Sequence, residues 1–260
     1  MAKLASRFAR TFALAAYALA LASAAAFAVW IWLLALGLLP ARSWVDEPWP
    51  WIVNLAWLVL FGLQHSGMAR EAFKKSWTRI WPPLLERSFY VMLASLLLVG
   101  ITFTWQTLPG EPIWQGPAWL VGLSLAGAVG MLRCCNGVGH LDFLGLQQVW
   151  RNEATPDILY IAGPYRFLRH PLMASLLVFL WGQPAMTMTL FALNAGLSIY
   201  ILMALRWEEA DLARRFGQVY EDYRRHVPAL IPWRRPVAPM IYQPATIPRS
   251  TIPRSSQASG

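Results

Sequence analysis

Two groups that could do acid–base or ligand chemistry, His170 and the pair Glu208-Glu209, flank a stretch of low polarity. No formal charge occurs from His170 to Leu205, a run of 36 residues. That run is too long for one ordinary bilayer crossing of about 20 residues, and Gly182-Gln183-Pro184 interrupts it. It therefore reads as a helical hairpin with arms at about 171–182 and 187–205. A hairpin returns the chain to the side it left, so His170 and Glu208-Glu209 should meet at one membrane surface. The lead-in from Gly163 to Arg169 is basic and turn-rich, and Arg206-Trp207 opens a charged amphipathic helix after the second arm.

The period of that helix says where the carboxylates point. Glu208, Leu212, Phe216, Val219/Tyr220, Tyr223 and Val227 recur at spacings of three and four. Glu208 thus continues an apolar face, and Glu209 lies close to it. An unpaired carboxylate there is costly, so it needs either an ion pair with Arg169, Arg206 or Arg166, or a cationic ligand held between His170 and Glu208.

Other polar groups near apolar runs are few. Gln64 and His65 sit one turn inside a hydrophobic segment, where they either reach the headgroup layer or line a polar cavity. His140 and Asp142 are the titratable groups of the run Gly137–Trp150; His140 either hydrogen-bonds a carbonyl at a helix end or lines an acceptor pocket. Cys134 and Cys135 are adjacent and read as small apolar residues, because neighbouring cysteines rarely bridge. The four histidines lie in separate segments with no HxxxH or CxxC spacing, so no metal site is expected. GxGxxG, P-loop and GxSxG sequences are absent, which leaves soluble nucleotide folds and α/β-hydrolase chemistry without support.

The elements that must position these groups are membrane helices. Hydrophobic residues are 57% of the chain and charged residues 13%, far from a soluble domain. Charge-free runs at 11–41, 48–69, 88–110 and 112–132 are each long enough to cross a core of about 30 Å. With the hairpin they predict an all-α, polytopic transmembrane bundle of five to six membrane segments. Lys3, Arg7 and Arg10 resemble the start of a cleaved signal, but the apolar run continues to Leu39, past a signal core of about 7–15 residues, so a retained first helix is expected. The net charge of +9 is distributed by topology and does not point to nucleic acid. The basic 1–10 arm, the 70–87 loop and the segments after Arg133 and Arg206 alternate with acidic or neutral loops. The positive-inside rule then puts both termini in the cytoplasm, with the chain in the inner membrane. The tail 234–260 repeats Thr-Ile-Pro-Arg-Ser, has little to build a core from, and is expected to be disordered.

These residues carry a resemblance. Gly163-Pro164-Tyr165-Arg166-x-x-Arg169-His170-Pro171, followed by Glu208-Glu209-x-x-Leu212 and Phe216-Gly217-x-x-Tyr220-x-x-Tyr223-x-x-x-Val227-Pro228, resembles the membrane S-adenosylmethionine methyltransferases. These include the isoprenylcysteine carboxyl methyltransferases and the phospholipid N-methyltransferases. The stretches QHSGMAR at 64–70, ERSFY at 86–90 and GHLDFLGLQQVW at 139–150 are similar to one branch, the methanethiol S-methyltransferases, close to the NnrU group of nitrogen-oxide metabolism. The resemblance implies a methyltransferase domain over 1–233, with its cofactor part at about 139–232, and S-adenosyl-L-methionine as cofactor. By similarity the cofactor would be contacted by Gln148, Asp157, Ile158, Leu159, Tyr160, Tyr165, His170, Pro171, Leu172, Met173, Glu208 and Glu209. Met173 departs from the pattern, which often has Tyr there. The implied acceptor is a small thiol, methanethiol, reaching the site from the lipid bilayer. His140, His65 and Arg206 are the candidates for generating or stabilising its thiolate. Alternatives are a lipid-borne acceptor, a nicotinamide-dependent reductase with a similar C-terminal end, or a non-enzymatic accessory protein. The Glu208-Glu209 pair argues against a phosphate-bearing nicotinamide.

Overall fold

The computed structural model describes residues 2–117, 119–152 and 158–243, with the side chains of residues 2–6, 71 and 138 left aside. Most of the described chain is helical, with four short strands. In order it forms α1 (Ala2–Ala35), α2 (Trp49–Ala69), α3 (Glu71–Trp77), α4 (Glu86–Thr104), β1 (Trp114–Gln115), α5 (Trp119–Val138), α6 (His140–Phe143) and α7 (Leu146–Arg151). There follow β2 (Leu159–Ile161), α8 (Pro171–Trp181), β3 (Ala185–Met186), α9 (Met188–Phe216), α10 (Gln218–His226) and β4 (Met240–Tyr242). Among the described residues five helices are long and apolar enough to cross a membrane, within α1, α2, α4, α5 and α9. Their outward faces carry Leu55, Leu63, Leu132 and Ile199, all half or more exposed, as a lipid-facing surface requires. The protein is therefore a multi-pass membrane protein.

Successive helices alternate in direction, so the described chain begins and ends on the same side. That side is the charged end, where α2 finishes, α4 starts, and α9 runs on past the bundle. At about 1.5 Å per residue the 29 residues of α9 span about 43 Å, longer than a bilayer core. Its charged turns after Leu205 project from the bundle. The amphipathic helix expected from Arg206 is thus the end of the second hairpin arm. It breaks at Gly217, whose φ of 55° ends α9 and starts α10. The apolar stripe survives the break: Phe216, Tyr220, Tyr223 and Val227 are buried together with Leu159 and Ile161 of β2.

The hairpin is present but lopsided. α8 has 11 residues, about 16 Å, too short to cross. The chain continues in extended form through 182–187. Backbone groups at that depth must be satisfied internally, and they are: Gly116 N–H donates to the Pro184 carbonyl at 2.7 Å, Ile113 N–H to Met186 at 2.7 Å, and β1 pairs antiparallel with β3. Fully buried Gln183 and Asn194 add side-chain donors to the Phe179 and Leu180 carbonyls, each at 2.7 Å. This explains why the breaker Gly182-Gln183-Pro184 is tolerated inside an apolar structure. Thr187 then caps α9, accepting from the Leu190 N–H at 3.3 Å.

α8 packs against α5, and the contact depends on Gly127. A Cβ there would lie 2.4 Å from the Phe179 nitrogen and 2.7 Å from the Ser175 carbonyl. Close backbone approach through small residues is the means by which helices associate in lipid, where no hydrophobic gain separates protein from solvent. On the other side of the bundle, Gly145 has a φ of +82° and would place a Cβ 2.8 Å from the Ser88 nitrogen. Its carbonyl accepts from the Ser88 hydroxyl at 2.9 Å, which docks α6 and α7 onto the start of α4.

The tail differs from expectation in its first part. Residues 240–242 pair antiparallel with 159–161, Leu159 opposite Tyr242, and the Arg166 Nε donates to the Val237 carbonyl at 2.6 Å. Ile241 and Tyr242 gave no strand signal because their partner lies about 80 residues earlier in the chain. The repeat at 246–255 lies outside the described residues.

Gly127→Val should destabilise the fold by about 1–3 kcal/mol through overpacking, read as a lowered unfolding midpoint in detergent. Gly122→Val, at a position where a Cβ meets nothing within 4 Å, is the control and should leave the midpoint unchanged. Equal midpoints for both variants would contradict the packing described for α5 and α8.

Candidate active site

The ends of the hairpin meet as the charge-free block requires. The Arg169 guanidinium contacts Glu209 Oε1 at 2.6 Å, and His170 Nε2 lies 3.1 Å from the same oxygen. Arg169 Nη1 also donates to the Val227 carbonyl at 2.5 Å, and the backbone N–H groups of Arg169 and His170 donate to the carbonyls of Pro228 and Ala229. Residues from the start of α8, the end of α9 and the segment after α10 are thereby joined at one point. Pro171, buried at the first turn of α8, starts the helix where its missing N–H costs nothing. Of the two carboxylates, Glu209 takes the ion pair; its side chain is 16% exposed. Glu208 is 53% exposed and, among the described residues, pairs only with His170 Nδ1 at 3.7 Å.

Glu208 opens into a cavity of about 530 Å³ bounded by α1, α2, α4, α8 and α9. Its mouth at the charged end is lined by Tyr165, His170, Leu172, Met173, Glu208 and Asp211. Arg70, at the end of α2, pairs with Asp211 at 3.2 Å and lies over the Trp207 ring, 5.1 Å from its centroid. Deeper in, His65 faces the space beside Tyr90 and Tyr200. His65 Nε2 is hydrogen-bonded to the Tyr90 hydroxyl at 2.8 Å, and the imidazole stacks on Phe61 with centroids 5.3 Å apart. His65 Nδ1 is buried and has no hydrogen-bond partner. Ser66 and Tyr200 hydroxyls pair at 3.0 Å. Arg87 holds the Phe143 carbonyl at 2.8 Å and lies over the Tyr90 and Phe143 rings, at 5.0 and 5.1 Å.

The sequence-predicted residues divide cleanly. His65, Tyr165, His170, Leu172, Met173 and Glu208 come together at the cavity. Glu209 and Pro171 support it from behind. His140 does not reach it: its Nδ1 is hydrogen-bonded to the Tyr17 hydroxyl at 2.9 Å, so its partner is a side chain on α1 and not the helix-end carbonyl expected of it. Arg206 is exposed on the outer face of α9 and is not among the lining residues. Gln148 on α7, and Ile158, Leu159 and Tyr160 around β2, also lie outside the lining. Leu159 is buried against Phe216 and Tyr220, and the Tyr160 ring meets the Tyr165 ring edge-on at 6.4 Å. Asp157 lies outside the described residues. Cys134 is buried and Cys135 partly so; both are free. Among the described residues no cluster of three metal-ligating side chains occurs.

Several lining residues were not foreseen. Tyr90, Arg87, Ser66 and Arg70 lie within the stretches ERSFY and QHSGMAR, which carry the resemblance, so a signal for them existed. Tyr200 is the lone tyrosine of the charge-free block. At the edge of the site burial pushes the phenols of Tyr165, Tyr220 and Tyr223 well above their ordinary value of about 10. They stay neutral, and the Tyr223 hydroxyl donates to the Tyr165 carbonyl at 2.7 Å, fixing the turn that carries Tyr165.

The fold and this cavity define a class: a multi-pass membrane protein with a polar-mouthed pocket at its charged end. Comparison with known proteins narrows it. Over 191 residues the chain is 40% identical to a methanethiol S-methyltransferase of Mycobacterium tuberculosis, covering 70% of this chain and 78% of that protein. It is 38% identical over 189 residues to methanethiol S-methyltransferase 2 of Bradyrhizobium diazoefficiens, covering 70% and 73%. A methanethiol S-methyltransferase of Crocosphaera subtropica is 37% identical over 191 residues, covering 70% and 74%. No family model and no solved structure matches the chain. The chain belongs to the methanethiol S-methyltransferase family, and it is a methyltransferase.

Glu209→Ala would leave the buried Arg169 guanidinium without its carboxylate partner. Breaking such a buried pair costs about 3 kcal/mol, or roughly 6–12 °C in unfolding midpoint for a chain of this size. Glu208→Ala, at an exposed carboxylate, should change the midpoint far less. Equal midpoints for the two variants would show that Glu209 is not the structural carboxylate.

Proposed function

We propose that the protein transfers a methyl group from S-adenosyl-L-methionine to methanethiol, giving dimethyl sulfide, within the 530 Å³ cavity. The observation that carries this reading is the cavity's polarity. Carboxylates stand at its mouth, and the His65 ring lines it beside Tyr90 and Tyr200.

The residues present fit the methyl donor. Glu208 and Asp211 would face its positive groups, Leu172 and Met173 would pack against its adenine, and Arg70 or Arg215 would meet its carboxylate. Met173 supplies a polarisable thioether where the related pattern often has a phenol. When bound, the donor supplies a methyl carbon activated by a departing neutral thioether.

The protein's own residues deal with the acceptor. A small thiol is mostly protonated near neutral pH, and the thiolate is the nucleophile. The His65 imidazole, which lines the cavity, takes the S–H proton, and the Tyr90 hydroxyl on Nε2 holds the ring in place. The Arg87 guanidinium over the Tyr90 ring lends positive potential to that end of the site and favours the anion. As the new C–S bond forms, the sulfonium charge vanishes, so positioning and water exclusion contribute more than later proton transfer. The proton taken by His65 leaves through the charged mouth. His65 therefore keeps the role expected of it, and the roles expected of His140 and Arg206 pass to Tyr90 and Arg87. We place the charged end in the cytoplasm of a cell with the protein in its inner membrane, because the basic segments gather there.

The test uses membranes from cells producing the protein, given S-adenosylmethionine and methanethiol, with the headspace analysed by gas chromatography. Dimethyl sulfide should form only when both reactants and the protein are present. His65→Ala should lower the rate about 10²–10⁴-fold with cofactor affinity unchanged, and Glu208→Gln should weaken cofactor affinity. No dimethyl sulfide from membranes that bind the cofactor would overturn the thiol as acceptor. Full activity in the His65 variant would overturn the role of the histidine.

A further inference from the structure

The cavity does not end at His65 and Tyr90. Along α4 its lining continues through Ala94 and Ser95 to Leu98, eight residues beyond Tyr90, about 12 Å deeper at 1.5 Å per residue. Across from these stand Ala20 and Ser23 of α1 and Ile201 of α9. The depth arises because α1 and α4 meet through small side chains, which leave room where larger ones would close the seam.

The chemistry of this branch is apolar. Its two hydroxyls are tied back to their own helices: Ser23 Oγ donates to the Ala20 carbonyl at 3.1 Å and Ser95 Oγ to the Val91 carbonyl at 2.8 Å. Neither proton is left to greet a polar ligand or an ordered water, and an apolar cavity stays dry. At the near end of the branch stands the His65 ring, which lines the cavity beside Tyr90. Methanethiol has one carbon and needs none of this space once its sulfur is at His65.

We infer that the branch between His65 and Leu98 is a binding site for the alkyl chain of the thiol, and that the enzyme methylates longer primary alkanethiols as well as methanethiol. The inference rests on the proposed thiol methylation at His65. The sulfur stays beside the His65 ring and the chain runs inward along α4 beneath Ser95. The step is unchanged: the S–H proton goes to His65, the thiolate sulfur bonds to the methyl carbon, and the departing thioether takes the electron pair. Because lipid tails are as apolar as the branch, added methylenes gain little relative to thiol dissolved in the bilayer. Length therefore acts by fit.

The experiment follows transfer of a radiolabelled methyl group from S-adenosylmethionine to methanethiol, ethanethiol, butanethiol and hexanethiol, using the full-length protein in vesicles. The kcat/KM is referred to thiol in the membrane phase. Efficiency should stay within about threefold across the series. Ala94→Leu fills the branch and should lower the hexanethiol-to-methanethiol ratio by about tenfold or more, the size of an overpacking penalty. Leu98→Ala lengthens the branch and should raise that ratio, so the prediction stands on two substitutions of opposite sign. Turnover of methanethiol with loss of most activity already at ethanethiol would overturn the alkyl site and leave the methylation reading intact. A ratio that neither substitution moves would overturn it equally. Absence of labelled product from every thiol would refute the methylation reading, and the inference with it.

Discussion

One ion cluster holds the working end of the molecule together. Glu209 accepts from both Arg169 and His170, and the same arginine reaches the Val227 carbonyl. Three segments far apart in the chain are thereby fixed within a few ångströms at the membrane surface. The cost of burying these charges is offset because each finds a partner of opposite sign or a carbonyl, which is the condition under which such a pair is tolerated. Once Glu209 is committed to Arg169, Glu208, one residue earlier, is turned toward the cavity. Two adjacent carboxylates thus acquire different surroundings from helix geometry alone: one braces the fold and its neighbour lines the cavity.

The bilayer explains much of the remaining architecture. Its interior leaves no unsatisfied backbone group unpunished, so the short α8 must be completed by an extended segment whose carbonyls are met by β1, Gln183 and Asn194. Association without a hydrophobic drive relies on small residues, and the same choice that lets α1 and α4 approach leaves a pocket between them. Ionisable groups gather at one end. The gradient from a charged mouth to an apolar inner end follows, and under the proposed function it would separate a charged cofactor from an apolar acceptor.

Much of this was legible in the chain. A charge-free block of 36 residues with a central breaker implies a hairpin, and a hairpin implies that His170 and Glu208-Glu209 meet. Which carboxylate pairs with arginine was not legible, because the stripe put both near one face and the decision rests on the partner's position. His65 could be named because a histidine within an apolar helix is costly. Tyr90 lies in the ERSFY stretch that carries the resemblance, but its place in the cavity could not be read there, because it depends on the contact with His65. His140 misled for the complementary reason: its neighbours in sequence are apolar, but Tyr17, 123 residues away, satisfies it. Arg206 opens the charged segment, yet helical rotation turns it outward. The strand at 240–242 had no local signal, because strand pairing with β2 is set by tertiary contact.

The most direct test of a single cavity joining both reactants is a structure of the protein with S-adenosylhomocysteine bound, determined in lipid. The account predicts density filling the mouth between Glu208 and Met173, with the product sulfur directed toward His65 and the branch along α4 open behind it. Density on the outer face of α9 near Arg206, or beside His140, with the His65 cavity closed, would contradict it.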